Sequence, residues 1–239
     1  MAKSPEHEHL VRWHASLINE HRAWLARFNE PERVKLWDEL LESATEDALC
    51  EALVRRLLND HVYIVSAEED LSAGGPDFRC LQMNRHFYVE TTCLTIDAVT
   101  EATGLIHLSR QESGYRPLTP CLFDACNGKA LACAGRDDAP CLLAVATLHR
   151  AASEIFFHDR AAVEALLTSG PQVAHELSEV ARESVAAMLL CGFGIEPATV
   201  HGVLNPDAAQ PFDRRLLPEI PFCQVQQTES GEAPGVDWV

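Results

Sequence analysis

Two acidic residues, Asp77 and Glu90, stand in the run GGPDFRCLQMNRHFYVETTCL, which alternates apolar and polar residues on either side of Met83-Asn84. Alternation of this kind predicts two half-buried strands joined by a tight turn. With arms over 76–81 and 86–93, a loop centred between Met83 and Asn84 sets Asp77 directly opposite Glu90. The two-residue period then places Asp77, Arg79, His86, Tyr88, Glu90 and Thr92 on one face. Phe78, Cys80, Phe87, Val89, Thr91 and Cys93 fall on the other, so one face is core and the other is chemistry or solvent. Directly opposed side chains have Cβ atoms about 5 Å apart, and like charges there are destabilising. A hard divalent cation, magnesium or manganese, would compensate, because it takes carboxylate oxygens and keeps water for a hydrolytic step. Two simpler compensations stay open: Arg79 on the same face neutralises the pair, or both acids face water. A one-residue slip would separate the acids.

The elements that must position this pair can be read outward from it. Apolar residues recurring at three and four positions predict helices through 10–58, broken at Asn29-Glu30-Pro31 so that a second helix starts near Pro31. A further helix covers about 45–59, and the β-branched run 62–65 predicts a strand, followed by the turn-rich EEDLSAGG. After the hairpin, 96–120 is ambiguous, and CLFDACNGKALACA reads as a helix interrupted at Asn127-Gly128. CLLAVAT, at 141–147, is apolar on both sides and suits a central strand covered on both faces. Helical patterns return over 161–191, closed by Gly192 and Gly194. ATVHGVL and IPFCQV predict late strands, and the last residues a loose tail. The order argues for an α/β fold, a mixed sheet wrapped by helices. The domain reading is a helical extension over 1–44, an α/β core with helical additions over 45–225 and a flexible acidic tail over 226–239.

Composition narrows the function. The formal net charge is −17, and no segment forms a basic stripe, which disfavours a tight non-specific grip on nucleic acid. Residues 76–140, with 6 basic and 8 acidic groups, are the least repulsive to an anion. Neither GxGxxG, GxxxxGK[ST] nor GxSxG occurs, which argues against those nucleotide-cofactor and serine-hydrolase sites. Nine cysteines without a CxxC pair read as reduced, small, buried residues, and the spacings among Cys121, Cys126, Cys133 and Cys141 match no common zinc site. His7, His9 and His14 miss the spacing of a helical zinc motif, as does His175-Glu176. The N-terminal residues are charged and the longest apolar run, 185–191, is too short to span a bilayer; the expectation is a soluble, cytoplasmic protein with no membrane partner.

The order of parts resembles the PD-(D/E)XK nuclease superfamily, the restriction-endonuclease-like fold: a helix carrying a glutamate, a strand, Pro-Asp, a short hairpin, then Glu-x-Lys. Pro76-Asp77 matches the first motif, Glu90-Thr91-Thr92 sits where Glu-x-Lys should be, and CEALVRRLL supplies Glu51 on the preceding helix. The resemblance covers about 45–147. It implies a divalent-metal-dependent phosphodiesterase acting on nucleic acid, with Mg2+ or Mn2+ held by Glu51, Asp77, Glu90 and the Thr91 carbonyl, and with Arg79, His86 and Thr92 meeting substrate. The motif lysine is replaced by Thr92. Only Lys3, Lys35 and Lys129 occur in the chain, and Lys129 matches a lysine that has migrated to a neighbouring helix, as in some members of the superfamily. A basic protein partner would supply the missing positive surface. The alternative is a catalytically inactive nuclease-like fold serving as a binding or assembly module.

Overall fold

The structure is a computed structural model of the chain, and it describes residues 5–28, 30–67, 75–104, 122, 125, 126, 129, 131–134, 138–153, 183–194, 197–225 and 236–239. The connector 68–74, most of 105–121 and the expected helical stretch over 161–182 lie outside these residues, as do His175 and Cys121.

Four helices come first: α1 (Pro5–Trp13), α2 (Ala15–Leu25), α3 (Pro31–Ser43) and α4 (Thr45–His61). Helix α3 starts at Pro31, whose fixed φ and missing N–H suit the first helical position. Glu46 and Asp47 in the first turn of α4 favour the positive end of its dipole. Glu46 Oε2 also accepts a hydrogen bond from Ile96 N at 2.7 Å. That bond ties the start of α4 to the start of α5 (Ile96–Thr103), which Thr95 caps through Ala98 N and Gly104 closes at φ +67°.

Eight strands form one mixed sheet in chain order: β1 (Tyr63–Ala67), β2 (Phe78–Gln82), β3 (Arg85–Leu94), β4 (Cys141–Thr147), β5 (Val185–Gly192), β6 (Thr199–Leu204), β7 (Phe222–Val225) and β8 (Val236–Trp238). The centre, β3–β4–β5, is parallel, and the β1–β2–β3 meander at one side is antiparallel. A mixed sheet flanked by helices is therefore what the chain builds.

Every residue of β4 and β5 is buried, because each face of the centre carries its own core. On one face Leu17, Trp24 and Trp37 of the N-terminal helices pack with Phe78, Val89, Leu142 and Leu189, so residues 1–44 share the core of the sheet. On the other, Val99 of α5, Leu122 and Cys126 pack with Tyr88, Leu143 and Leu190. Among the described residues, no helix is long and apolar enough to cross a membrane.

Three expectations need correction. The helical reading over 161–191 fails at its end, where 185–191 belongs to β5: Ala187, Leu189 and Cys191 face the helical core and Met188 and Leu190 the opposite one. A run buried on both sides is as good a central strand as a helix, and pairing with β4 overrides the helical preference of Ala, Met and Leu. The tail expected over 226–239 includes β8, which pairs with β7 at Cys223↔Trp238. Finally, Cys133 and Cys141 form a disulfide, since a 3-10 turn (Leu131–Cys133) just before β4 brings their Cα atoms to 5.6 Å, within bridging range. Among the described cysteines, Cys50, Cys80, Cys93, Cys126, Cys191 and Cys223 are thiols.

Candidate functional site

The β2–β3 hairpin closes in two residues, with Met83 at φ +51° and Asn84 at φ +58°. Positive φ at both positions is the twist that a two-residue hairpin demands, and Asn accepts it readily while Met is forced into it. The register follows: Gln82↔Arg85 at the loop, then on to Phe78↔Val89. The paired register ends there, one step short of the expected Asp77–Glu90 pair. There Asp77 leaves the ladder, and its Oδ2 accepts a hydrogen bond of 2.6 Å from Thr91 N, in place of a strand carbonyl. β3 itself runs on through 90–94 beside β4. Past the last β2 pair the two acids part, Asp77 bordering a cavity with Glu51 and Glu90 pairing with Lys129.

Glu90 departs from the expected picture of an open polar face. It is 1% exposed, and Thr92, two residues along the same face, is 7% exposed, because Val99 of α5 with Leu122, Cys126 and Cys133 packs on that side. Lys129 provides the compensation. Its Nζ lies 2.9 Å from Glu90 Oε1, while its own side chain is half exposed. A second acid senses the same lysine: burial pushes the Asp47 carboxyl above its ordinary range, and the Lys129 charge works against that shift. Asp47 was not singled out in the sequence. Its signal was the four-residue spacing to Glu51, which puts both on one side of α4.

Glu51 is held from the helical side. Arg55 Nε donates to His21 Nδ1 at 3.2 Å, so the imidazole proton sits on Nε2, 3.3 Å from Glu51 Oε1. Burial first, and the Arg55 charge second, push the His21 pKa down to about 3, so the ring is neutral at pH 7 and the contact is dipolar rather than an ion pair. Arg55 also binds Glu20, and lies over the Trp24 ring at 5.7 Å. His21 stacks on Trp37 with centroids 4.7 Å apart. Glu51 and Asp77 then border one cavity of about 340 Å³, walled by Trp24, Trp37 and Phe78 and reached by Arg33.

The remaining expected site residues are distributed unevenly. Arg79 pairs with Tyr88 in the ladder, and its buried Nε has no hydrogen-bond partner among the described residues. His86 lies at the hairpin end of β3, four residues or about 13 Å from Glu90 along an extended strand. There its Nε2 is 3.1 Å from Asp138 Oδ2, which also accepts from Tyr88 Oη at 2.9 Å. The His86 hydrogen bond chiefly holds the Asp138 carboxyl below its usual range. His86 thus belongs to a different cluster from the acids.

A hard cation fits the chemistry of Glu51 and Asp77, both oxygen donors on one cavity, since magnesium is commonly held by one or two carboxylates with substrate phosphate completing the shell. Among the described residues no group of three or more metal-ligating His, Cys, Asp or Glu side chains is assembled. Glu90, on Lys129, would have to turn to join the other two. No protein-family model, no curated protein and no solved structure matches this chain.

Proposed function

We propose that this protein is a divalent-metal-dependent phosphodiesterase acting on nucleic acid, built on a divergent restriction-endonuclease-like fold. The observation that carries the reading is the lysine: Lys129, far from the Glu-x-Lys position in sequence, lies 2.9 Å from Glu90. The order of α4 with Glu51, the β1–β2–β3 meander with Asp77 at the head of β2, and Glu90 on β3 also supports it.

In this reading Glu51 and Asp77 would hold Mg2+ or Mn2+, with Glu90 and the Thr91 carbonyl nearby. When bound, the cation supplies Lewis-acid activation of water and of the phosphate. Lys129 brings the positive charge and transferable protons that Thr92 lacks, beside the acid that steers it. His21, neutral and hydrogen-bonded to Arg55, contacts Glu51 at the border of the cavity.

A second reading, an inactive nuclease-like fold used for binding or assembly, is favoured by a specific feature: each acid already has a protein contact, Glu51 with His21, Asp77 with Thr91 N and Glu90 with Lys129. The net charge of −17 also leaves little basic surface for a polyanion unless a partner brings it.

Cleavage of single- and double-stranded DNA and RNA with magnesium or manganese, beside an Asp77→Ala, Glu90→Ala double variant, separates the two. Cleavage by the native protein and none by the variant is expected. Equal cleavage by both, or none by either, ends the proposal. Lys129→Ala should slow cleavage by about 10²–10⁴-fold, the range for a proton-transferring group, and an unchanged rate removes Lys129 from the mechanism.

A further inference from the structure

We propose that Cys50 and Cys93 are a peroxide-sensitive thiol pair, and that their oxidation to a disulfide fastens α4 to β3. The bridge forms whether or not the chain cuts nucleic acid.

Cys50 stands on α4 and Cys93 on β3, 43 residues apart, and the packing of α4 against the helical face of the sheet brings their Sγ atoms to 2.9 Å. Both are thiols. A disulfide bond measures about 2.05 Å, so less than about 1 Å of movement separates this contact from the bond. Cys126, by contrast, meets the thioether of Met188 at 3.7 Å, a contact that cannot yield a disulfide.

Access to the two sulfurs is unequal. Cys50 is 0% exposed and Cys93 is partly exposed, so an oxidant meets Cys93 first. The hydrogen bond with Cys50 chiefly, then burial, then the charges of Cys50, Asp47 and Glu46 push the Cys93 thiol well above its ordinary range. The thiolate is the nucleophile, so the pair reacts slowly and a brief exposure to oxidant leaves it reduced.

The oxidant is hydrogen peroxide. The Cys93 thiolate attacks one peroxide oxygen: an S–O bond forms, the O–O bond breaks, and the leaving hydroxide takes a proton to become water, which gives a sulfenic acid. Cys50 Sγ then attacks Cys93 Sγ. The S–S bond forms, the S–O bond breaks, and the departing hydroxide takes the Cys50 proton as a second water. Two thiols thereby lose two electrons to one peroxide. Glu51 follows Cys50 in α4 and Glu90 lies three residues before Cys93, so the bridge ties the turn that carries one acid to the strand that carries the other.

The test uses the full-length folded protein, treated with hydrogen peroxide, freed of oxidant, alkylated in denaturant and digested without reductant. Mass spectrometry should find a peptide linked through Cys50 and Cys93, absent when dithiothreitol precedes alkylation. Cys80, Cys126 and Cys191, each 0% exposed, should be alkylated as thiols after the same treatment. The oxidised protein should melt roughly 5–15 °C above the untreated one, as closure of a loop of 43 residues implies. Both are melted without reductant, so that Cys133–Cys141 stays closed in each. Cys93→Ser should show neither the linked peptide nor the rise, and the peptide map of the native protein decides alone if that variant fails to fold.

No linked peptide, a linked peptide formed only when peroxide is added in urea, or equal oxidation of Cys80, Cys126 and Cys191 overturns the proposal. A linked peptide with no rise in melting temperature overturns it as well, because the bridge then fastens nothing.

Discussion

The two faces of the sheet treat buried charge differently. On the helical face the polar groups form one relay, hydrogen-bonded from Glu20 through Arg55 to His21, with Glu51 in contact with the ring at its end. On the opposite face they are separate ties: an ion pair between Lys129 and Glu90, and a disulfide between Cys133 and Cys141. The relay ends in an acid whose side chain is 19% exposed and beside a neutral ring. The ion pair ends in an acid whose side chain is 2% exposed and directly against a cation. Glu51 thus borders the cavity with a partly exposed side chain, while Glu90 is sealed against Lys129.

The comparison can be broken first at Arg55. Arg55→Met removes the donor to His21, the contact to Glu20 and the cation over Trp24 at once. A loss of about 3 kcal/mol is expected in urea unfolding, near the low end for a buried charge because Glu20 is half exposed. A loss under half of that would mean the relay is decoration and the helical face rests on apolar packing alone.

On the other face, reduction of Cys133–Cys141, whose residues are separated by 8 in sequence, should cost about 2.5 kcal/mol, the chain-entropy value for so short a loop. A lower melting temperature with reductant, reproduced by Cys133→Ser without it, is the expected pattern. Insensitivity to reductant would mean that the bridge adds nothing to that face.

The smallest expected effect sharpens the relay. The folded His21 pKa, about 3, lies below the ordinary 6.5, so the unfolded chain binds the extra proton and the folded protein does not. Stability from this group is complete above pH 6.5 and falls as pH drops towards 3. The loss by pH 5.5 is about 1 kcal/mol. His21→Gln should flatten that part of the pH profile. An unchanged slope would place the acid sensitivity elsewhere.

What could be read in advance differs by residue. The Phe78–Val89 register was legible from strict alternation about a loop centred between Met83 and Asn84, although the ladder stops before Asp77. Lys129 was legible through scarcity, as one of three lysines in the chain. β5 was not, because a run buried on both sides has no period to separate strand from helix. His21 and Asp47 were hidden for another reason. Helical spacing tells which residues share a side of α2 or α4, but only packing tells which side meets the sheet. The Cys133–Cys141 bridge depends on a 3-10 turn that folds the chain back on β4, and cysteine spacing carries no trace of that turn.

The strands lie in the sheet in the order in which they leave the ribosome. Each new strand finds its partner at the growing edge, so no pairing has to wait for a distant segment to thread between two already formed. The antiparallel β1–β2–β3 meander and the four helices that cover it are synthesised first and pair or pack with one another over short separations, which favours their early formation. The long edge of β3 then waits for β4, the first strand whose pairing spans a large loop. Slow translation or truncation between 95 and 140 would leave that edge exposed as an aggregation template.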